Sequence, residues 1–458
     1  MLNRGRPSER LRVPQPLIRT RIPSGRGAME QPNVTGDGDT PLTPTFWVAV
    51  VATGIAAGLI GAAFMLLLFN VQYWAFGYHS GSYEAGIEAA SASRRIVSLV
   101  IAGTFGGVAW SALRRYTKGQ RSELDDVVWN GDGQLSWPRS LGTSVISEIV
   151  IGMGASIGRE AAPKTMGGVA GSLIAGRLRL TTPQRRLLVA CGGGAGLAAV
   201  YNVPLAGALF TAEILIGVLA LPTVLPALAC STIATVTAWV YLPNQPSYAD
   251  IPGFHATAAL IAWALLVGPI AGLVASAYIR LVGWVSHHTV TGRKAIGAPL
   301  IAFTMLGLIG IRYPQLFGNG KDMAHDAFVG SGSLALFAVL FLLKPIVTSL
   351  CLGSGASGGL LTPVLATGAV FGGALGIIWN HVWAGSPVGA YAMIGAAAMI
   401  GAGMQAPLTA IAFVLELTHS GFAIMVPIAL ATVTATAVAR HVDGYSIYSA
   451  RLTASEGT

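Results

Sequence analysis

Charge is scarce in this 458-residue chain: Asp, Glu, Lys and Arg together make up 10% of it, against roughly a quarter in an ordinary soluble domain. With a hydrophobic fraction of 53%, that shortage excludes a soluble globular protein. Segments such as 256–270 are apolar all round and have no polar face to offer water. Cysteine is nearly missing too: Cys191, Cys230 and Cys351 lie in apolar or glycine-rich stretches with no CxxC pair, which leaves neither a disulfide frame nor a zinc site. The eight histidines form no paired motif, so no metal and no cofactor are expected. A clustered basic face is also lacking. The formal charge of +9 is scattered over loops and one tail, which argues against a nucleic-acid partner. Residues 1–44 carry seven arginines and no long apolar run; they read as a disordered tail held in the cytosol by the positive-inside rule, without the apolar core of a signal peptide.

What is abundant is apolar sequence interrupted by glycine, 59 residues of it. Runs over 46–69 and 96–113 are long enough to span a bilayer. Between 141 and 219 the apolar stretches shorten, at 144–151, 166–174, 187–200 and 204–219, and predict short, tilted or re-entrant helices. Further segments follow at 224–241, 256–282, 299–311, 334–352, 360–379, 390–403, 407–417 and 424–439. The expected fold is all-α: a polytopic membrane helical bundle embedded in the lipid bilayer. Small residues let such helices approach closely, and protein neighbours satisfy the peptide groups freed where a helix breaks.

The bundle is expected to be duplicated. Residues 152–158 (GMGASIG) and 353–359 (GSGASGG) share a G-x-G-A-S-x-G core, and NVPLAGALFTAE at 202–213 pairs with QAPLTAIAFVLE at 405–416. Gly152 precedes Pro204 by 52 positions and Gly353 precedes Pro407 by 54; each proline then precedes its glutamate by 9, at Glu213 and Glu416. Two inverted-topology repeats, over about 45–242 and 255–448, explain the pattern, with a binding site between broken helices near the midplane. Residues 449–458 are left as a short tail without a regulatory domain.

An ionisable residue inside the membrane is by default a functional candidate. Glu160 follows the first glycine cluster, where a helix begins. Free N–H groups there would hold its carboxylate or an anion that displaces it. Arg159 beside it is either part of that site or a structural ion-pair partner. In the second half, Pro363 falls in the first turn of the next apolar run, and the amides of Leu360 and Leu361 are placed to face an anion opposite Glu160. Glu148 is a second acid inside the bilayer, readable as a proton carrier or as a structural acid bonded to Ser144, Ser147 or backbone.

Taken together, these elements resemble the CLC family of chloride channels and chloride/proton antiporters. Gly158-Arg159-Glu160 matches the start of the family's GREGP, 353–363 resembles GSGAPGGIFAP, the two Pro-Leu segments resemble NAPLAG and RAPLTG, and Tyr448-Ser-Ala resembles the C-terminal tyrosine motif. The resemblance spans 152–450. It implies chloride or a similar small anion as cargo, protons as a further partner, and a homodimer with one pore per subunit. It makes Glu160 the gating glutamate and gives anion contacts to the amides of Arg159, Ala161, Leu360 and Leu361 and to the Tyr448 hydroxyl, with Tyr445 a register alternative. A prokaryotic plasma membrane and a cytosolic N-terminus complete the expectation.

Three departures stand out. GREGP reads Gly-Arg-Glu-Ala-Ala here, followed by Pro163. The serine of the family's GSGIPE falls, by spacing, on Gly119, with Ser122 three positions away. The family's inner proton glutamate falls on Ile214, which favours a channel or uncoupled carrier unless Glu148 takes the proton. Two rivals remain. Gly355-Ala-Ser357-Gly-Gly359 fits the G-x-S-x-G of a serine hydrolase but has no histidine aimed at it. A cation-coupled solute carrier would share the inverted repeats but would need acidic or carbonyl-rich ion sites.

Overall fold

The computed structural model describes residues 42–78, 81–419 and 422–452. The expected tail up to residue 41, and residues 453–458, lie outside them. Regular structure among the described residues is helical. The first half contains α1 (Pro44–Phe76), α2 (Tyr83–Ala89), α3 (Ala92–Tyr116), α4 (Leu124–Trp129), α5 (Trp137–Gly152), α6 (Ala161–Arg177), α7 (Thr182–Tyr201), α8 (Pro204–Leu209) and α9 (Leu221–Ala238). The second contains α10 (Ala258–His287), α11 (Lys294–Gly310), α12 (Lys321–Val329), α13 (Leu334–Gly353), α14 (Leu361–Trp379), α15 (Val388–Met404), α16 (Pro407–Thr418) and α17 (Met425–Val442). Among the described residues, α1, α3, α9, α10, α13, α14 and α17 are long and apolar enough to cross a membrane.

Local chemistry sets many of these boundaries. The hydroxyls of Thr43, Ser91, Thr257 and Ser333 each accept the N–H of the residue three positions on, capping α1, α3, α10 and α13. Proline opens α8 and α16, where a missing N–H costs nothing. The run expected at 204–219 is not one helix: α8 passes into a π-helical turn, Phe210–Ile216, closed by Gly217 in the left-handed region. Three short helices, α2, α4 and α12, had no periodic signal, being only 7, 6 and 9 residues long.

The halves match element for element around the glycine breaks. α5 ends at Gly152 and α13 at Gly353; Gly154 and Gly355 follow at φ 116° and 96°, values open to glycine. The two breaks then meet. Gly158 and Gly359 exchange N–H to C=O hydrogen bonds of 2.8 Å in each direction, an antiparallel bridge. The helices that follow pack as pairs, α6 on α7 and α14 on α15, with Gly167 against Gly192 and Gly368 against Gly395 leaving no room for a Cβ. Every residue of α15 from Gly389 to Met404 is buried, so a helix apolar all round lies inside the bundle. Outer helices expose large apolar side chains such as Val48, Leu221 and Ile301, as a lipid-facing surface requires.

Glu213 and Glu416 show what the repeat does with its acids. The Glu416 carboxylate accepts the N–H groups of Leu205 (3.0 Å) and Ala206 (2.7 Å) at the start of α8. Glu213 in turn accepts those of Leu408 (3.2 Å) and Thr409 (2.7 Å) at the start of α16. Each half thus caps the other's helix.

Candidate functional site

Glu160 stands where the two breaks touch, immediately before α6 and 2% exposed. One carboxylate oxygen accepts the Leu361 N–H at 2.7 Å, at the first residue of α14. The other lies 3.3 Å from the hydroxyls of both Thr362 and Tyr201, which are themselves 2.7 Å apart, so one hydroxyl donates to the carboxylate and the other to its neighbour. A Cβ at Gly158 or Gly359 would displace this carboxylate, so the two glycines leave it its place. The carboxylate therefore occupies an anion site made by the other half's helix start.

Arg159 does not pair with it. Among the described residues the ion pairs are Lys164–Asp125 and Arg280–Asp443. The Arg159 guanidinium lies 5.1 Å from the centre of the Tyr201 ring, its buried Nε without an acceptor. It lines a cavity of about 330 Å³ shared with Tyr201, Lys321, Asp322 and His325. Lys321 and Asp322 were not anticipated from the sequence, because α12 was not.

A second, narrower cavity of about 50 Å³ reaches Glu160 and Ala161 and is walled by Ser122, Ser140, Lys164 and Tyr448. Tyr448 is buried, edge-on to Phe210 with 5.9 Å between ring centres. Glu160, Ala161 and Tyr448 thus come together around this space. Leu360 and Leu361 adjoin it through the Leu361 bond to Glu160. Gly119 does not belong: it is exposed, at φ 78°, on a separate open depression with Gln120 and Arg121. The chain between Gly119 and α4 turns so that Ser122, not Gly119, reaches the cavity wall. Ser122 is held there by a 3.2 Å hydrogen bond from Arg139 Nε.

Glu148 is fully buried on α5, and neither carboxylate oxygen has a hydrogen-bond partner. The structural alternative, an acid bonded to Ser144 or Ser147, is not what forms: Ser147 donates to the Ser357 carbonyl instead. Ser144 and Ser147 both line the narrow cavity, placing Glu148 one residue behind its wall. Ser357 also lines it, but no histidine does.

Two buried cations escaped the sequence reading. Lys164, one turn after Glu160, pairs with both oxygens of Asp125 at 3.1 and 3.2 Å. Lys344 is fully buried in α13 and donates to Ser156 Oγ (2.8 Å) and to the Leu316 (3.3 Å) and Gly318 (2.9 Å) carbonyls, so it has as many acceptors as N–H groups. The signal that singled out Glu160, a charge within an apolar stretch, was present at both lysines.

Comparison with known proteins places these features in a family. A family model described as voltage gated chloride channel matches residues 102–440. The H(+)/Cl(-) exchange transporter ClcA of Yersinia pestis is 29% identical over 434 residues, covering 90% of this chain and 88% of that protein. The voltage-gated ClC-type chloride channel ClcB of Salmonella typhi is 28% identical over 407 residues, covering 86% and 96%. Among solved structures, a slow cyanobacterial Cl-/H+ antiporter superimposes with a TM-score of 0.77 at 22% identity, covering 89% of this chain and 97% of that one. A CLC-type fluoride/proton antiporter gives 0.74 at 19%, covering 91% and 100%.

Proposed function

Because this chain belongs to the voltage-gated chloride channel family, known as CLC, we propose that it carries chloride across a membrane along a path that Glu160 closes. The observation that carries this reading is the Glu160 carboxylate on the Leu361 amide at the start of α14, the position a permeating anion would take. Protonation of Glu160 removes its charge and frees the site. Chloride then binds the amides of Leu360 and Leu361 and those around Arg159 to Ala161. Helix-end dipoles favour an anion there without a full opposite charge to trap it.

With the N-terminus in the cytosol, the cavity lined by Arg159 and Lys321 faces outward and the one lined by Tyr448 faces inward. The Tyr448 and Ser122 hydroxyls meet chloride on the inner side. Protons reach Glu160 from outside directly, and from inside by way of Glu148, since Ile214 is apolar. Chloride/proton exchange is the mode this supports; an orphan buried carboxyl is cheapest when it carries a proton, and the exchange transporters among the relatives agree with it. The working form is a homodimer in a prokaryotic plasma membrane, one path per subunit.

The test is chloride efflux from liposomes holding the purified protein, with external pH recorded before and after the membrane potential is clamped. Proton movement driven uphill by the chloride gradient is expected. Glu160→Gln should keep chloride flux and lose both pH dependence and proton movement, and Glu148→Gln should lose proton movement alone. Loss of all flux in well-folded Glu160→Gln would refute the gating role, while fast chloride flux with no pH change in the native protein would make it an uncoupled channel.

A further inference from the structure

Several hydrogen-bond donors converge on the narrow cavity without acceptors. The Ser140 hydroxyl is fully buried and has no partner, and among the described residues the Tyr448 hydroxyl makes no hydrogen bond. The Lys164 ammonium lines the same cavity, 4.6 Å from the centre of the Tyr448 ring and 5.8 Å from that of Phe210. An ammonium has three N–H groups. Asp125 offers it two oxygens, at 3.1 and 3.2 Å, leaving the third N–H with only aromatic faces for partners. Lys164 is 7% exposed, and a cation is not placed at such depth beside an unspent donor set without cost.

We propose that Lys164 is the charged wall of an inner anion site, where chloride sits between its ammonium and the Ser140 and Tyr448 hydroxyls. The inference rests on the reading above that this cavity lies on the chloride path. Asp125 is part of the device. By sharing the ammonium it keeps the local charge near neutral, so the anion is held firmly enough to enter and loosely enough to leave. An ammonium is a compact, strongly hydrated point charge. It therefore favours small, hard anions over large, weakly hydrated ones, and Lys164 sets selectivity as well as affinity.

The experiment uses the full-length protein, with bromide as an anomalous-scattering probe in crystals and liposome efflux of chloride, bromide, nitrate and thiocyanate. Removing Lys164 alone strands Asp125 in the interior, so the main variant is the near-isosteric, charge-free double substitution Lys164→Gln with Asp125→Asn. Lys164→Arg serves as the charge-retaining control. Bromide is expected beside Lys164 in the native protein. In the double variant its binding should weaken by about tenfold or more, the size of one charge-assisted hydrogen bond, and the chloride-to-thiocyanate flux ratio should fall. Lys164→Arg should keep bromide binding, because the charge is retained, but lower the chloride-to-thiocyanate flux ratio, because a guanidinium is larger and more weakly hydrated. A folded double variant with native bromide binding and native flux ratios overturns the proposal. So does bromide bound in the native cavity out of contact with Lys164, a result available even if the double variant does not fold. Absence of any anion flux from the native protein would instead strike at the transport reading, leaving the bromide position to judge this one.

Discussion

Glu160 takes its donors from both halves of the chain: Tyr201 closes α7, while Leu361 and Thr362 open α14. A side chain held in this way moves only when its charge or its donors change, which suits a gate. At the same scale, Gly119 separates spacing from position. Counting residues brings it to the family's serine, yet nothing lies within 4 Å of a Cβ built there, and its φ is 78°. Gly119→Ser should therefore leave the relative fluxes of chloride, nitrate and bromide unchanged and cost about 1 kcal/mol for the left-handed backbone. Anion-competition efflux and thermal melting together check this; a rise in chloride preference would place that loop in the pathway after all.

Among the elements, the reciprocal caps tie α8 to α16. Glu416→Ala removes the acceptor of two N–H groups at the start of α8, and a loss of about 1 kcal/mol is expected. The double variant with Glu213→Ala should cost about twice that, since the two caps sit on different helices. Thermal unfolding in detergent reads both. α2 and α12, which lie outside the seven spanning helices, are joined by an acid cluster: the Glu84 N–H donates to Asp322 at 3.0 Å. Burial, then the nearby Asp326 and Asp322, pushes the Glu84 carboxyl up to about 8. In the unfolded chain the same group titrates near ~4.3. Between these values the unfolded chain releases a proton that the folded protein keeps, so stability falls as pH rises from about 4.3 to about 8 and levels off beyond. Glu84→Gln should flatten the decline of Tm over that window. An unchanged slope would mean that the cluster does not hold the proton.

At the scale of the whole molecule, the glycine breaks of the two halves meet at the bridge of Gly158 with Gly359, and the cavities lie beside that junction. Symmetry explains why the site is built from helix starts: each repeat brings one, and the bridge sets them face to face. The symmetry is broken by charge. Glu160 belongs to the first half, and the equivalent break in the second half has no acid, so one half supplies the carboxylate and the other the amide that holds it. If each subunit carries its own path, the detergent-solubilised protein should have twice the mass of the chain by light scattering while keeping the per-chain flux of diluted liposomes. A stable monomer with full flux would remove the dimer from the mechanism.

The sequence by itself determined the membrane character and the helical bundle and singled out Glu160, because these rest on hydropathy, glycine spacing and the cost of a charge in lipid, all properties of local sequence. It also singled out Leu361 and Tyr448, which the structure places against Glu160 and in the wall of the narrow cavity. Only the tertiary structure decided the partners. That Glu213 and Glu416 cap opposite helices, that Ser122 rather than Gly119 walls the cavity, and that Lys164 meets Asp125 across 39 positions all depend on contacts between distant segments. The directions of side chains after a left-handed glycine or a π-helical turn follow from packing, and no spacing rule along the chain encodes them.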